Sequence, residues 1–347
     1  MRAVRIAAAG DLRLVDVPVP EPGPGEILVR VGFAGICFTD IEVLRGNHEA
    51  YLSGWGRYPI VPGHEWAGHV AAVGDGVVGF APGDLVTGET GIGCMQCPLC
   101  QSGAYNCCPD VVETGIINRD GAMREYHLHP ARFAHRMDGL TSRLGALVEP
   151  ASVGVYACRR AGVGPGDRVV VCGGGSIGQL CAQAARALGA EQVAVTSRSR
   201  EKLDLAVRLG ADAAINAAQE DARKCARELT SGDLFTVAIE AAGTSAALDD
   251  CLALAAPRGR IALVGYADDE PYAHSLAKII GVELSVIGVR GSPGVWPETI
   301  AMVREGRLQL APLISHEYPL GQYSEAFETA SKGGPNVLKV LLNLDAG

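Results

Sequence analysis

Arg168-Val169-Val170-Val171-Cys172-Gly173-Gly174-Gly175-Ser176-Ile177-Gly178 is the stretch on which the fold turns. Its unbroken apolar run suits a strand buried on both faces, and Gly173, Gly175 and Gly178 follow in the spacing GxGxxG. The run Ile177–Leu188 then predicts a helix. A strand, a glycine turn and a helix in that order mark a dinucleotide-binding (Rossmann) unit. The first glycine permits a tight turn, the second lets backbone amides approach a pyrophosphate, and the third lets the helix pack closely on the strand. The predicted contacts are Gly173, Gly175, Ser176, Ile177 and Gly178.

Working outward, strand-like runs recur at Gln192–Thr196, Thr236–Ile239, Arg260–Val264 and Glu283–Ile287, with helical patterns at Ser152–Ala161 and Glu201–Leu209. Such alternation predicts an α/β domain with a parallel sheet covered on both faces. Val264 and Arg290, at or just beyond the ends of the later strands, join the expected cofactor contacts. The first 150 residues read differently. Short apolar stretches such as Ile27–Val31 and His69–Val73 are separated by PEPGPGE, GDG and APGD, which predicts an all-β, barrel-like domain. The last stretch carries helices near Glu298–Glu305 and Tyr323–Ser331 and a strand at Val337–Leu342. Its pattern fits either domain.

The chain has 347 residues, 30 Lys+Arg against 39 Asp+Glu, a net charge of −9 and 48% apolar residues. That length predicts two domains with proper cores, and the composition excludes a disordered chain. The acidic balance argues against bare nucleic acid or an anionic membrane as partner. No apolar run nears the roughly 18 residues of a membrane span. The apolar stretch of the N-terminal MRAVRIAAAGDLRL ends at Asp11 and the residues after it read as a strand and turn, which argues against a leader, so a cytoplasmic protein is expected. In that compartment the eleven cysteines stay reduced.

At the end of the second strand of a dinucleotide unit, an NAD site carries Asp or Glu for the ribose hydroxyls. Here Thr196-Ser197-Arg198-Ser199-Arg200 offers hydroxyls and guanidinium groups instead. Arg suits a 2′-phosphate because its planar fork makes paired, charge-assisted bonds. Ser197, Arg198 and Arg200 therefore predict NADP(H) over NAD(H).

Cys94, Cys97 and Cys100 form C-x2-C-x2-C, with the pair Cys107-Cys108 shortly beyond. Four thiolates there predict a closed structural zinc site, with Cys108 or its neighbour Cys107 as the fourth ligand. Cys37, His64-Glu65 and Glu149 are the candidates for a second, catalytic zinc with one open position. Cys158, Cys172, Cys181, Cys225 and Cys251 are expected to be buried apolar residues.

With Gly63-His64-Glu65-x2-Gly68-x5-Gly74-x2-Val77, Cys37-x-Thr39-Asp40, the turn Gly83-Asp84 and the cysteine lobe in that order, the chain resembles the zinc-dependent medium-chain dehydrogenase/reductase family over its whole length. Glu149-Pro150-Ala151-Ser152-Val153-Gly154 makes it most similar to the sorbitol (polyol) dehydrogenase branch. The resemblance implies a GroES-like β-barrel catalytic domain at 1–150 with the zinc lobe at about 90–110, a Rossmann domain at 151–288, and a segment 289–347 returning to the catalytic domain. It also implies that Cys37 and His64 bind the catalytic zinc, with either Glu65 or Glu149 as third ligand. Thr39 matches the first hydroxyl of a proton relay. A homodimer or homotetramer is implied as well.

The chain departs from the family twice. Where many members have a histidine ending the relay, this chain has Glu42. Threonine dehydrogenases carry a catalytic histidine in the stretch that here reads Glu89-Thr90-Gly91-Ile92-Gly93, and none is present. The expected activity is hydride transfer between NADP(H) and a secondary alcohol or ketone of a polyol, cyclitol, aminocyclitol or sugar-derived substrate, with two zinc ions per subunit. The alternatives are a threonine 3-dehydrogenase-like or other NAD-dependent alcohol dehydrogenase, and a non-catalytic zinc- and nucleotide-binding protein. His48, Trp55 and Tyr58 are read as loop structure, and His127, His129 and His135 as surface or core packing.

Overall fold

Val169, Val170, Val171 and Cys172 are wholly buried in a six-stranded sheet. Its spatial order is Ala213–Asn216, Gln192–Ser197, Arg168–Cys172, Phe235–Glu240, Ala255–Leu263 and Ser285–Gly288, with every pair parallel. The computed structural model describes residues 1–265 and 276–345. The chain divides into two units. One holds Met1–Glu149, Trp296–Ile300 and the chain from Leu310 onward; the other holds Pro150–Val295 and Ala301–Gln309.

In the second unit the expected turn is present. Gly173 has φ +132°, in the region L side chains rarely adopt. A Cβ on Gly178 would lie 1.8 Å from the carbonyl oxygen of Gly173, so the helix Ser176–Ala187 can approach the strand only through glycine. Helices Ala222–Leu229 and Ser245–Leu254, which the sequence pattern left unassigned, supply further crossovers. Cys158, Cys172, Cys181 and Cys251 are buried as expected, whereas Cys225 is half-buried in the short helix Ala222–Leu229, which buries only Ala226.

The first unit is built on the long strand Glu26–Ile36, which pairs antiparallel with Glu65–Val73, Tyr126–Pro130 and Lys339–Asn343. The tail strand lies beside residues 33–36, and Ile314–Pro319 extends the sheet in parallel beyond it. From Leu310 onward the last stretch belongs to the first unit, whereas 289–295 and 301–309, expected to return with it, belong to the second. Strand Glu65–Val73 lies next to Leu85–Gly88, and Ala134–Arg136 closes that end. Val29, Val31, Ala34, Trp66, Val70 and Leu342 form the core between them.

Trp66 is packed edge-on by His127 and His129, with ring centroids 5.0 and 5.1 Å away, and both imidazoles are wholly buried. Burial, with Arg124 and Arg119 nearby, holds His127 well below its ordinary 6.5; burial and Arg119 push His129 down to about 3. The unfolded chain therefore binds more protons than the folded one between 6.5 and about 3. Stability is complete above the unfolded value and is lost as pH falls through that window, by up to about 1.4 kcal/mol per pH unit for each imidazole. Denaturant midpoints measured from pH 7 to pH 4 are expected to fall, and His129→Phe to flatten the slope. A pH-independent midpoint would contradict this account.

Candidate active site

The helix Phe38–Arg45 starts directly after the strand Glu26–Ile36, with Cys37 as its N-cap. Asp40, at the third helical position, turns back: its carboxylate accepts from the Cys37 amide at 2.8 Å and from the Gly63 amide at 3.0 Å. This is a reciprocal cap, and it also fixes the loop before His64. His64 Nδ1 lies 3.7 Å from Asp40 Oδ1. Cys37, His64 and Glu65 then each offer one ligand atom, all within 4.8 Å of one another.

Glu65 is 1% exposed, and its Oε1 accepts from Lys339 Nζ at 2.5 Å. Its Oε2 has no hydrogen-bond partner. A Cβ on Gly35 would sit 2.2 Å from that oxygen, so glycine in the neighbouring strand makes room for it. Glu149 is buried beside this group but outside the 4.8 Å set, and its Oε1 accepts from Thr90 Oγ1 at 3.1 Å. Burial, with Glu65 adding to it, pushes the Glu149 carboxyl up to about 7 against the pull of His64. Burial also raises Asp40. Burial opposes the charged form of His64, but Asp40, then Cys37 and Glu149, outweigh it and hold the imidazole well above 6.5. Lys339 is raised likewise, Glu65 and Cys37 overcoming its burial. Acidic groups thus outnumber basic ones in a dry site. A sulfur, a nitrogen and an oxygen converging there suit a zinc ion.

The second cluster is local. Cys94, Cys97, Cys100 and Cys108 bring their sulfurs within 4.8 Å of one another, while Cys107 is exposed. Cys94–Cys100 and Cys97–Cys108 sulfurs are 3.9 and 3.8 Å apart. Zinc–sulfur bonds of about 2.3 Å in a tetrahedron require a separation of about 3.8 Å. Backbone amides of Gln96 and Cys97 donate to the Cys94 sulfur and pull its thiol down to about 7.

Thr39 Oγ1 lies 3.7 Å from Cys37 Sγ. Glu42, one turn on, is buried and accepts from Arg45 Nη1 at 3.3 Å. His48 caps the helix Glu49–Leu52, and Tyr58 stacks on Tyr51 with centroids 4.4 Å apart, so both hold the loop together. His135 pairs with the buried Glu89 at 2.9 Å.

In the nucleotide unit, Gly173, Ser197, Val264 and Arg290 all come at the carboxyl ends of parallel strands, along one edge of the sheet. That edge is where open α/β sheets bind ligands. Gly175 has open space where a Cβ would go, and it precedes the first turn of the helix Ser176–Ala187. Arg198 is exposed and makes no ion pair among the described residues, whereas Arg200 is paired with Asp204 at 2.9 Å. Sequence reasoning missed Lys202, whose Cβ would lie 3.1 Å from a Cβ on Gly174, and it missed Lys339 and Thr90.

The chain matches the alcohol dehydrogenase GroES-like domain over residues 23–139 and the zinc-binding dehydrogenase family over residues 176–305. It is 35% identical to sorbitol dehydrogenase of Ovis aries over 342 residues, covering 97% of this chain and 94% of that one. Among solved structures it is similar to an oxidoreductase/dehydrogenase of unknown specificity from Escherichia coli (30% identity, TM-score 0.93, covering 99% of this chain and 98% of that one). It is also similar to a zinc-binding dehydrogenase from Sinorhizobium meliloti solved with NADP (31% identity, TM-score 0.91, covering 99% and 98%). The chain therefore belongs to the zinc-dependent medium-chain dehydrogenase/reductase family. Within it, the chain is an alcohol dehydrogenase of the polyol branch.

Removing the ammonium while leaving its partner is costly in such a site. Lys339→Met is expected to lower stability by about 3–5 kcal/mol by leaving Glu65 buried and unpaired. The double variant with Glu65→Gln should recover most of that loss in chemical denaturation.

Proposed function

We propose that the protein oxidises a secondary alcohol of a polyol, cyclitol or sugar-derived substrate, using NADP⁺. The observation that carries the cofactor choice is the end of the strand Gln192–Ser197, where a carboxylate is missing and Arg198 stands exposed, with no ion pair among the described residues. The relative solved with NADP supports the same reading. The polyol choice rests on the similarity to sorbitol dehydrogenase and on the lack of a histidine in residues 89–93, which disfavours threonine.

Cys37, His64 and Glu65 would hold the catalytic zinc, with Glu149 beside it, and Cys94, Cys97, Cys100 and Cys108 a structural zinc. The zinc would supply Lewis acidity at the substrate oxygen, and a bound nicotinamide would supply the hydride acceptor. Asp40, with Oδ1 3.7 Å from His64 Nδ1, faces the imidazole with an opposite charge. Lys339 balances Glu65 and keeps its second oxygen turned to the cluster. Thr39 Oγ1 takes the proton of the substrate hydroxyl, and Glu42, on the next turn, passes it outward. Gly173, Gly175, Ser176, Ile177 and Gly178 cradle the pyrophosphate, Ser197 and Arg198 read the 2′-phosphate, and Val264 and Arg290 flank the cofactor.

The exposed Leu276, Ile280 and Val286, the last on the edge strand Ser285–Gly288, support a homo-oligomer. No helix among the described residues is long and apolar enough to cross a membrane. Eleven unpaired thiols support the cytoplasm.

Two measurements test this reading. Arg198→Ala should raise KM for NADP⁺ tenfold or more, at least about 1.4 kcal/mol, and leave NAD⁺ kinetics unchanged. Arg200→Ala should do less, because its guanidinium is already engaged. A panel of sorbitol, other polyols, cyclitols and L-threonine, each with NAD⁺ and NADP⁺, should give turnover of polyols or cyclitols with NADP⁺. Turnover of threonine alone with NAD⁺ alone would overturn both choices.

A further inference from the structure

Away from the metal cluster, the catalytic unit holds a cavity of about 630 Å³ lined by Arg57, Pro59, Ile60, Asn118, Arg119 and Asp120. None of these residues has a role in the mechanism above. Two arginines and an asparagine line that one space, and side chains of these types carry the donors that recognise an oxyanion.

The acidic neighbours are already committed. Asp120 Oδ1 accepts from the Val61 amide at 2.9 Å, and Oδ2 from Arg124 at 3.5 Å. Arg119 Nη2 donates to Glu26 at 3.0 Å and to the Leu128 carbonyl at 3.3 Å, and its buried Nε has no hydrogen-bond partner among the described residues. Arg57 is exposed and makes no ion pair among the described residues. Arg57, Arg119 and Arg124 against Glu26 and Asp120 leave the pocket positive in a chain of net charge −9. The Asn118 carboxamide donates to the Trp55 carbonyl at 2.9 Å, which holds the loop carrying Arg57 against the segment carrying Arg119. The segments carrying the two arginines are therefore held together where they line one cavity.

The pocket is also wired to the metal cluster. Gly121 N donates to Val61 O, Ala122 N to Gly63 O and Met123 N to Pro62 O, so residues 61–63 run paired with 121–123 from the pocket to His64. Four residues of extended chain span at most about 14 Å, which bounds the separation between Ile60 and His64.

We propose that this cavity is a phosphate-binding site, in which Arg57 and Arg119 take a phosphate dianion. A planar guanidinium makes two parallel bonds to phosphate oxygens, and the cavity has room for the molecule carrying the group. The dianion has two possible sources: the phosphoester end of a phosphorylated polyol whose hydroxyl reaches His64, or free inorganic phosphate. Only the first rests on the polyol reading above.

The test has a binding arm that needs no turnover. Calorimetric titration of the zinc-loaded protein with inorganic phosphate, against chloride at matched ionic strength, should show saturable binding. Arg57→Gln should weaken it at least tenfold, Arg57→Lys less, and the exposed position leaves folding intact. Absence of saturable binding, or equal binding by Arg57→Gln, overturns the site whatever the substrate proves to be. The second arm compares sorbitol with sorbitol 6-phosphate. A KM at least tenfold lower for the phosphate ester, lost in Arg57→Gln while sorbitol turnover is unchanged, assigns the site to substrate. Equal KM values with phosphate binding intact assign it to free phosphate.

Discussion

The carboxylate of Asp40 is the constraint on which the catalytic unit depends. It is wholly buried, and a buried charge persists only where hydrogen bonds and an opposite charge compensate it. Its compensation comes from two separate segments, the amide of Cys37 at a helix start and the amide of Gly63 in a loop, with the His64 imidazole facing it. Satisfying one carboxylate thus brings together residues 37 and 64, which chain connectivity leaves apart. Gly63 completes the arrangement, with φ +100° and Met123 Cγ 2.7 Å from where its Cβ would be. Any side chain there would push the loop off the amide–carboxylate bond.

The two cysteine-bearing clusters solve the problem of gathering ligands in opposite ways. In the lobe, Cys94, Cys97, Cys100 and Cys108 lie within one short segment, and amide-to-sulfur bonds such as Cys100 N to Cys97 Sγ at 3.5 Å shape it from within. In the catalytic cluster the donors come from distant segments and are held by the barrel. There the geometry accumulates acidic groups faster than it supplies cations. The strongly raised His64 reflects the acidic groups around it, and burial, with Glu65 adding to it, raises Glu149; a divalent ion would offset that negative charge.

This difference explains what could be read from the sequence. The strand, glycine turn and helix of residues 168–187 are local patterns, and the structure places them within a residue of their expected bounds. The cysteine lobe is local too, and only the choice between Cys107 and Cys108 needed burial to decide it. Lys339 was invisible because its partner Glu65 lies 274 positions away, and a lysine in an apolar strand resembles a surface residue until the strand is paired. Thr90 was hidden likewise, 59 positions from Glu149. Arg198 and Arg200 looked equivalent as a list of cations. The i,i+4 pairing of Arg200 with Asp204 separates them, and that spacing was legible once residues 200–208 were taken as a helix.

Glu65 and Glu149 show why residue type alone could not assign the third ligand. Both are buried carboxylates within reach of His64, yet their partners differ in kind. Glu65 accepts from an ammonium with one oxygen, and the other has no hydrogen-bond partner among the described residues, so the side chain is held in a fixed orientation with a lone pair to offer. Glu149 has only a hydroxyl donor, and burial drives it toward the protonated form near neutral pH. A ligand to a divalent ion must be deprotonated. Glu149, its carboxyl raised to about 7 by burial, would first surrender a proton, whereas an oxygen of Glu65 already lies in one group with Cys37 and His64.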